Sequence, residues 1–311
     1  MEGLEQPDQR KDSRPDLEPG RTDSAAPVVP AGLGDDRRAE PPASGLGRGG
    51  SATVEGAPVT AEWQFNDIHG YTEPDGARLI HRLAGAELFV RGGRLVRGAG
   101  YETAPRPTRR ELARAGAILR LRQRHRYHIH AAGVVDPAGR AWLFTGQTGS
   151  GKSTLAYALA RQGWPILGDD GVIVEVASGG VVAHRWREPL RVSMTLSDAF
   201  PELAEASGAT RMLPGDPRQR AEVQVEGARS APVAALIWVE QGATDGITPL
   251  TPAAALIELV RQSAWVLIAD GGSPAHLAAL RQIAVHVPSF RLVHSPAQLH
   301  RIHETLAAAL P

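Results

Sequence analysis

Gly146-Gln147-Thr148-Gly149-Ser150-Gly151-Lys152-Ser153 is a complete G-x-x-x-x-G-K-[ST] run, the spacing that a phosphate-binding loop requires. Gly146, Gly149 and Gly151 let the backbone fold back so that successive N–H groups point inward. A Cβ there would meet a phosphate or be strained at positive φ. A helix predicted from Ser153 onward adds the partial positive charge of its N-terminus, roughly half an elementary charge. Only two lysines occur in the chain, Lys11 and Lys152, and arginine carries the basic charge elsewhere. A lysine at this one place points to a compact ammonium reaching between the β- and γ-phosphates, where an arginine fork is too broad. Ser153 offers a hydroxyl to a Mg²⁺ that bridges those phosphates. Gln147, Thr148, Ser150 and Thr154 complete the predicted nucleotide-contacting stretch. The loop alone names neither the nucleotide nor the fate of the γ-phosphate.

Asp169 and Asp170 end a short apolar stretch, Ile166-Leu167, immediately after the loop's predicted helix. A strand there can pack beside the loop strand and deliver carboxylates to the γ-phosphate, either to accept a proton from an attacking hydroxyl or to hold the metal. Adjacent strand residues face opposite sides, so the pair would divide these duties; the alternative is an ordinary Asp-Asp-Gly turn. Upstream, His128 and His130 would share one face of a strand. That pattern admits a two-histidine metal half-site, a histidine beside the phosphates, or a polar residue at a strand edge. No third ligand or cysteine accompanies the pair to complete a zinc site.

The predicted elements give these residues their places. Residues 1–58 contain no aromatic and are dense in Pro, Gly, Ser, Asp and Arg, a composition that cannot offset ordering entropy and predicts a disordered tail. Residues 59–127 are read as a small β-rich module with a hairpin turn at Gly92-Gly93. A closing helix follows, capped by Thr108 with Glu111 as a capping box. Residues 128–311 form the third region. Strands are predicted at Ile129 to Val135, Ala141 to Thr145, Ile166-Leu167, Val172 to Val176, Val181 to His184, Val233 to Val239 and Trp265 to Ala269. Helices are predicted at 153–162, 197–205, 252–262, 274–283 and 295–306. Gly163 and Pro165 stop the helix after the loop. Mixed strands and helices around a strand–loop–helix phosphate site predict an α/β domain.

His130-Ala131-Ala132-Gly133-Val134-Val135, then Leu143 through Ser153, then Gly163 through Asp170 resemble the catalytic core of HPr serine kinase/phosphorylases and the broader HPr-kinase-like proteins. The order matches: histidine on the preceding strand, phosphate loop, and paired aspartates after one short helix. The resemblance covers roughly residues 108 to 311. It implies a P-loop kinase fold of the HPr kinase/phosphoenolpyruvate-carboxykinase-like type, with ATP and Mg²⁺ bound. Lys152 would contact the phosphates, Ser153 and Asp170 the metal, and Asp169 would be the base that activates a serine hydroxyl of a protein or peptide acceptor. His130 would sit in the active site, and members often assemble as homo-oligomers. The family's second signature, an acidic residue followed by Ile-Arg-Gly, is missing. Its nearest counterpart is the run His184 to Arg191, in which Glu188 is the candidate metal ligand.

Bulk properties narrow the alternatives. A formal charge of +0 gives no global pull toward nucleic acid or an anionic membrane. Zero cysteines exclude disulfides and thiolate chemistry. No signal peptide or bilayer-length apolar run is evident, so a soluble cytoplasmic protein is predicted. Guanine recognition through Asn-Lys-x-Asp is impossible with Lys11 as the other lysine, which disfavours a GTPase. A plain ATPase remains open, with Glu240 or Asp270 as a hidden acidic strand end. So does a non-catalytic nucleotide sensor whose arginines between Arg106 and Arg126 dock an acidic partner or simply form a solvated face.

Overall fold

Alternation over residues 63–97 folds as an antiparallel meander of β3 (Trp63–Phe65), β4 (Ile68–Glu73), β5 (Gly76–His81), β6 (Ala86–Arg91) and β7 (Arg94–Arg97). It follows a hairpin of β1 (Ser51–Val54) and β2 (Ala57–Thr60). The computed structural model describes residues 51–54, 57–60, 62–193, 196–205, 220–243, 246–268 and 272–308. The predicted tail therefore lies outside the described residues up to 50, while its last stretch is drawn into the hairpin. Gly92 and Gly93 form the two-residue β6–β7 loop with φ of 53° and 71°, the positive pair that a type I′ turn demands.

Helix α1 (Arg106–Arg122) closes this sheet. It begins two residues ahead of the predicted cap, with Pro105 at the N-cap and no side-chain capping bond. Pro107 has no N–H to satisfy and presets the helical φ, so a capping box has little left to do. Thr108 is buried instead, and Glu111 lies 3.5 Å from His81 Nε2. Leu112, Ala115 and Leu119 pack against Leu79, Leu88 and Val90 in one core.

The rest is a mixed sheet of nine strands. From one edge it runs β8 (Arg126–Ile129), β12 (Val172–Ala177), β13 (Gly180–His184), β16 (Ser230–Gln241), β10 (Ala141–Thr145), β9 (Ala132–Val135) and β11 (Ile166–Gly168). β18 (Ser289–His294) also pairs with β16, and β17 (Gly246–Pro249) pairs with β18. The long β16 is the spine. Its start is antiparallel to β13, and its apolar body runs parallel to both β10 and β18. β14 (Leu190–Ser193) and β15 (Arg220–Val223) form a separate pair. Helix α2 (Lys152–Ala160) packs on β9, β10 and β14. α4 (Pro252–Gln262) and α5 (Ser273–His286) pack against the sheet with the core around Leu143, Val172 and Leu236. The short α3 (Glu202–Glu205) and the terminal α6 (Ile302–Ala307) complete the set, and no helix among the described residues is long and apolar enough to cross a membrane.

Five expectations change. The single strand over 129–135 is two strands, β8 and β9, at distant places in the sheet. The His130 N–H donates to Gln262 O at 2.8 Å rather than into a ladder, and Ser263 Oγ donates to His128 O at 2.7 Å. That clasp breaks the strand and removes the shared face of His128 and His130. β11 does not adjoin the loop strand, since β9 lies between them. The strand predicted at 265–269 is a 3₁₀ turn, Ala264–Leu267, pulled back by Trp265, whose ring lies 5.0 Å from Phe65 and 6.1 Å from Trp63; Asp270 lies outside the described residues. The helix predicted over 295–306 is a 3₁₀ segment, Pro296–Arg301, followed by α6, and that over 197–205 shrinks to α3.

The turn after β11 depends on close backbone approach. A Cβ on Gly168 would lie 2.2 Å from the Gly171 carbonyl oxygen, and a backbone atom cannot swing aside as a side chain can. Gly168→Ala is expected to cost about 1–3 kcal/mol of stability, read as a lower midpoint in urea denaturation.

Candidate functional site

β10 lies in the sheet between β9 and β16 and ends at Thr145, so the six residues that follow emerge at the C-terminal end of an interior strand and feed α2. Gly146, Gly149 and Gly151 adopt φ of 140°, 84° and 101°, all in the region that favours glycine. The loop is braced from behind by the ends of two strands. Gln241 Nε2 donates to Gly149 O at 3.0 Å, and His294 Nε2 lies 3.1 Å from Ser150 O. A Cβ on Gly151 would come within 2.6 Å of that imidazole. Sequence reasoning missed both braces, because nothing local to Gln241 or His294 announces them.

Lys152 is buried, and its Nζ donates to Gly146 O at 2.8 Å and Gln147 O at 3.0 Å. Burial lowers its pKa to about 8, against the pull of Asp170 and Asp169. Ser150 Oγ is buried without a hydrogen-bond partner, a hydroxyl left over for a ligand oxygen. Thr154 is half-buried in the first turn of α2.

The two aspartates part company. Asp169 is buried, and both of its oxygens are engaged. Ser153 Oγ donates to Oδ1 at 2.7 Å, and the Arg191 N–H donates to Oδ2 at 3.0 Å. Burial pushes its carboxyl up despite those bonds. Asp170 takes a left-handed backbone, φ 61°, and its side chain is 44% exposed. His130 Nδ1 lies 3.1 Å from Asp170 Oδ1, and Arg114 Nη2 lies 3.2 Å from Oδ2. Desolvation raises this carboxyl, but the histidine and the arginine together overcome it and hold the group well below the usual carboxylate range. His128 faces elsewhere, 5.1 Å from the Trp186 ring, and burial drives it down to about 3. It is an uncharged core histidine.

Glu188 does not present a free carboxylate. Its side chain is 1% exposed, Trp186 Nε1 donates to it at 2.8 Å, and Arg114 Nη1 stands 3.0 Å away. Burial raises it to about 7. Among the described residues no three His, Asp or Glu side chains converge as a metal-holding group; of the expected set, Glu188 is turned to Arg114 and Trp186, Asp170 to His130 and Arg114, and Ser153 to Asp169. Ser153 and Asp169 do adjoin as hard oxygen donors. That suits a Mg²⁺ that takes one carboxylate and completes its shell with phosphates and water.

The arginines between 106 and 126 do not form one stripe. Arg114 points to Asp170, Arg122 is buried with Nη2 on Ser273 Oγ at 2.8 Å, and Arg126 pairs with Glu175 at 2.9 Å. Glu240 accepts from Trp238 Nε1 at 2.9 Å at the C-terminal end of β16, one residue before the loop brace Gln241.

No family model matches this chain, and no curated protein matches it. Among solved structures it is similar to the Hpr(Ser) kinase/phosphatase from Coxiella burnetii, at 12% identity, covering 58% of this chain and 93% of that one with a TM-score of 0.31. A likeness at that level carries no weight for fold or function.

With a pKa near 8, Lys152 is cationic at pH 7 and surrenders its charge as pH rises through that value. A polyphosphate bound at the loop is expected to lose affinity above pH 8, by up to about tenfold per pH unit. Calorimetric titration with a non-hydrolysable ATP analogue at pH 7, 8 and 9 reads this directly, and a flat profile would remove Lys152 from the contact.

Proposed function

We propose that this chain is an ATP-dependent kinase that transfers the γ-phosphoryl group to a serine hydroxyl of a protein or peptide. The observation that carries the reading is the separation of the aspartates at one turn. Asp169 is buried on the Ser153 hydroxyl, and Asp170 stands half-exposed beside it, held by His130 and Arg114. A phosphate loop alone would serve binding. A second, ionised and accessible carboxylate next to the loop supplies what transfer to a hydroxyl needs.

This arrangement favours a division of duties opposite to the one implied by the family resemblance. Asp169, with its oxygens taken by Ser153 and Arg191, suits the metal side. Asp170, half-exposed and kept ionised by His130 and Arg114, suits the acceptor side. A bound Mg²⁺ would supply positive charge to offset the charge that develops on the phosphates. Lys152 would leave the loop carbonyls for the phosphates, and Ser153 and Asp169 would hold the metal. Asp170 takes the hydroxyl proton as the serine oxygen bonds to the γ-phosphorus. The bond from that phosphorus to its bridging oxygen breaks, and ADP departs. An accessible carboxylate of low pKa is a weak base, but phosphoryl transfer asks mainly for alignment, the proton moving late. The serine acceptor is supported by the motif resemblance between residues 128 and 170.

The test is transfer of label from [γ-³²P]ATP to a polypeptide in the presence of Mg²⁺, with cell extract as the acceptor source. Label on a polypeptide supports the kinase. Acceptor-independent phosphate release would make it an ATPase, and nucleotide binding with neither would make it a sensor. Asp170→Asn is expected to reduce kcat by about 10²–10⁴-fold with nucleotide affinity intact, whereas Asp169→Asn should raise the Mg²⁺ concentration needed. The opposite pattern would return the base role to Asp169.

A further inference from the structure

Arg114 lies on α1, the helix that closes the five-stranded sheet, yet its guanidinium ends among the groups of the loop site. Nη2 is 3.2 Å from Asp170 Oδ2 and 3.4 Å from the Asp170 carbonyl oxygen, and Nη1 is 3.0 Å from Glu188 Oε1. One planar fork thus holds the side chain and the backbone of a residue in left-handed conformation, a state that a non-glycine residue keeps only when its neighbours impose it. Glu188 is in turn fixed by Trp186, whose indole is buried in the same core as α1. A lysine, a point charge on a flexible stem, could not span both carboxylates and the carbonyl.

We propose that Arg114 is a positioning residue for phosphoryl transfer, which fixes Asp170 in its reactive orientation and ties that orientation to the seating of α1 on the β3–β7 sheet, with Glu188 as the anchor of the fork rather than a metal ligand. This rests on the kinase reading above. The helix is seated closely: a Cβ on Gly116, two residues along, would lie 2.7 Å from Leu88 Cδ2. A partner that shifted α1 against its sheet would therefore move the fork and Asp170 with it. The five-stranded unit becomes part of the catalytic apparatus, although it contributes no group to the phosphate loop.

Two measurements on the full chain test this. Urea denaturation of wild type, Arg114→Ala, Asp170→Asn and the double variant forms a cycle that needs no turnover. The two substitutions are expected to be non-additive, and additive effects would overturn the contact. In parallel, Arg114→Ala should lower kcat by about 10²-fold with the Kd for Mg·ATP unchanged. Added guanidinium should restore part of the rate, and Arg114→Lys should restore little. Unchanged kcat in Arg114→Ala, or equal loss of kcat and nucleotide binding, would overturn the positioning role. A wild-type chain that binds ATP but transfers nothing would sink the kinase reading, and the cycle would then judge the Arg114–Asp170 contact by itself.

Discussion

The hydrogen bond from the Ser153 hydroxyl to Asp169, 2.7 Å long, joins the N-terminus of α2 to the end of β11, and the functional account depends on it. The two groups are brought together by a short helix that leaves β10 and returns beyond β9. Burying a carboxylate costs free energy unless it is hydrogen-bonded, and Asp169 meets that cost with the Ser153 hydroxyl and the Arg191 amide. In doing so it fixes where Asp170 must emerge. The left-handed turn at Asp170 then throws the second carboxylate outward, toward His130 and Arg114.

Much of the site follows from sheet topology. β16 supports the loop strand along its length, and its C-terminal end, with that of β18, supplies Gln241 and His294 to brace the loop. Parallel pairing of β10, β16 and β18 places their carboxyl ends together, the side of an α/β sheet where ligands are usually received. The break between β8 and β9 has a comparable effect. By diverting the His130 amide to Gln262, it frees the His130 ring from a ladder position and lets it meet Asp170.

The glycine-rich loop from Gly146 to Gly151, its strand and its helix were legible in the sequence because their signals are local: three glycines, a lysine, an apolar run before and a helical run after. The meander was legible for the same reason, through alternation and the Gly92-Gly93 turn. What escaped was non-local. Arg114 looks like one more arginine on an exposed stripe, because helical spacing says which residues share a face but not what that face meets. Its partner Asp170 lies 56 residues away. The unbroken apolar pattern over 129–135 concealed a strand break that Gln262 and Ser263 impose from α4 and the residue beyond it. Trp265 belonged to a run that read as a strand, and aromatic packing with Trp63 and Phe65 turned it into a 3₁₀ segment. The different surroundings of Asp169 and Asp170 were hidden as well, since adjacency in sequence does not say that only the first is buried.

The most direct measurement is calorimetric titration of ATP into the wild-type chain and into Asp169→Asn, each with and without Mg²⁺. If Ser153 and Asp169 hold the metal, Mg²⁺ tightens binding to the wild type, and Asp169→Asn loses most of that enhancement while still binding the nucleotide. Binding that is equally tight without Mg²⁺, or a Mg²⁺ effect untouched by the substitution, would contradict it.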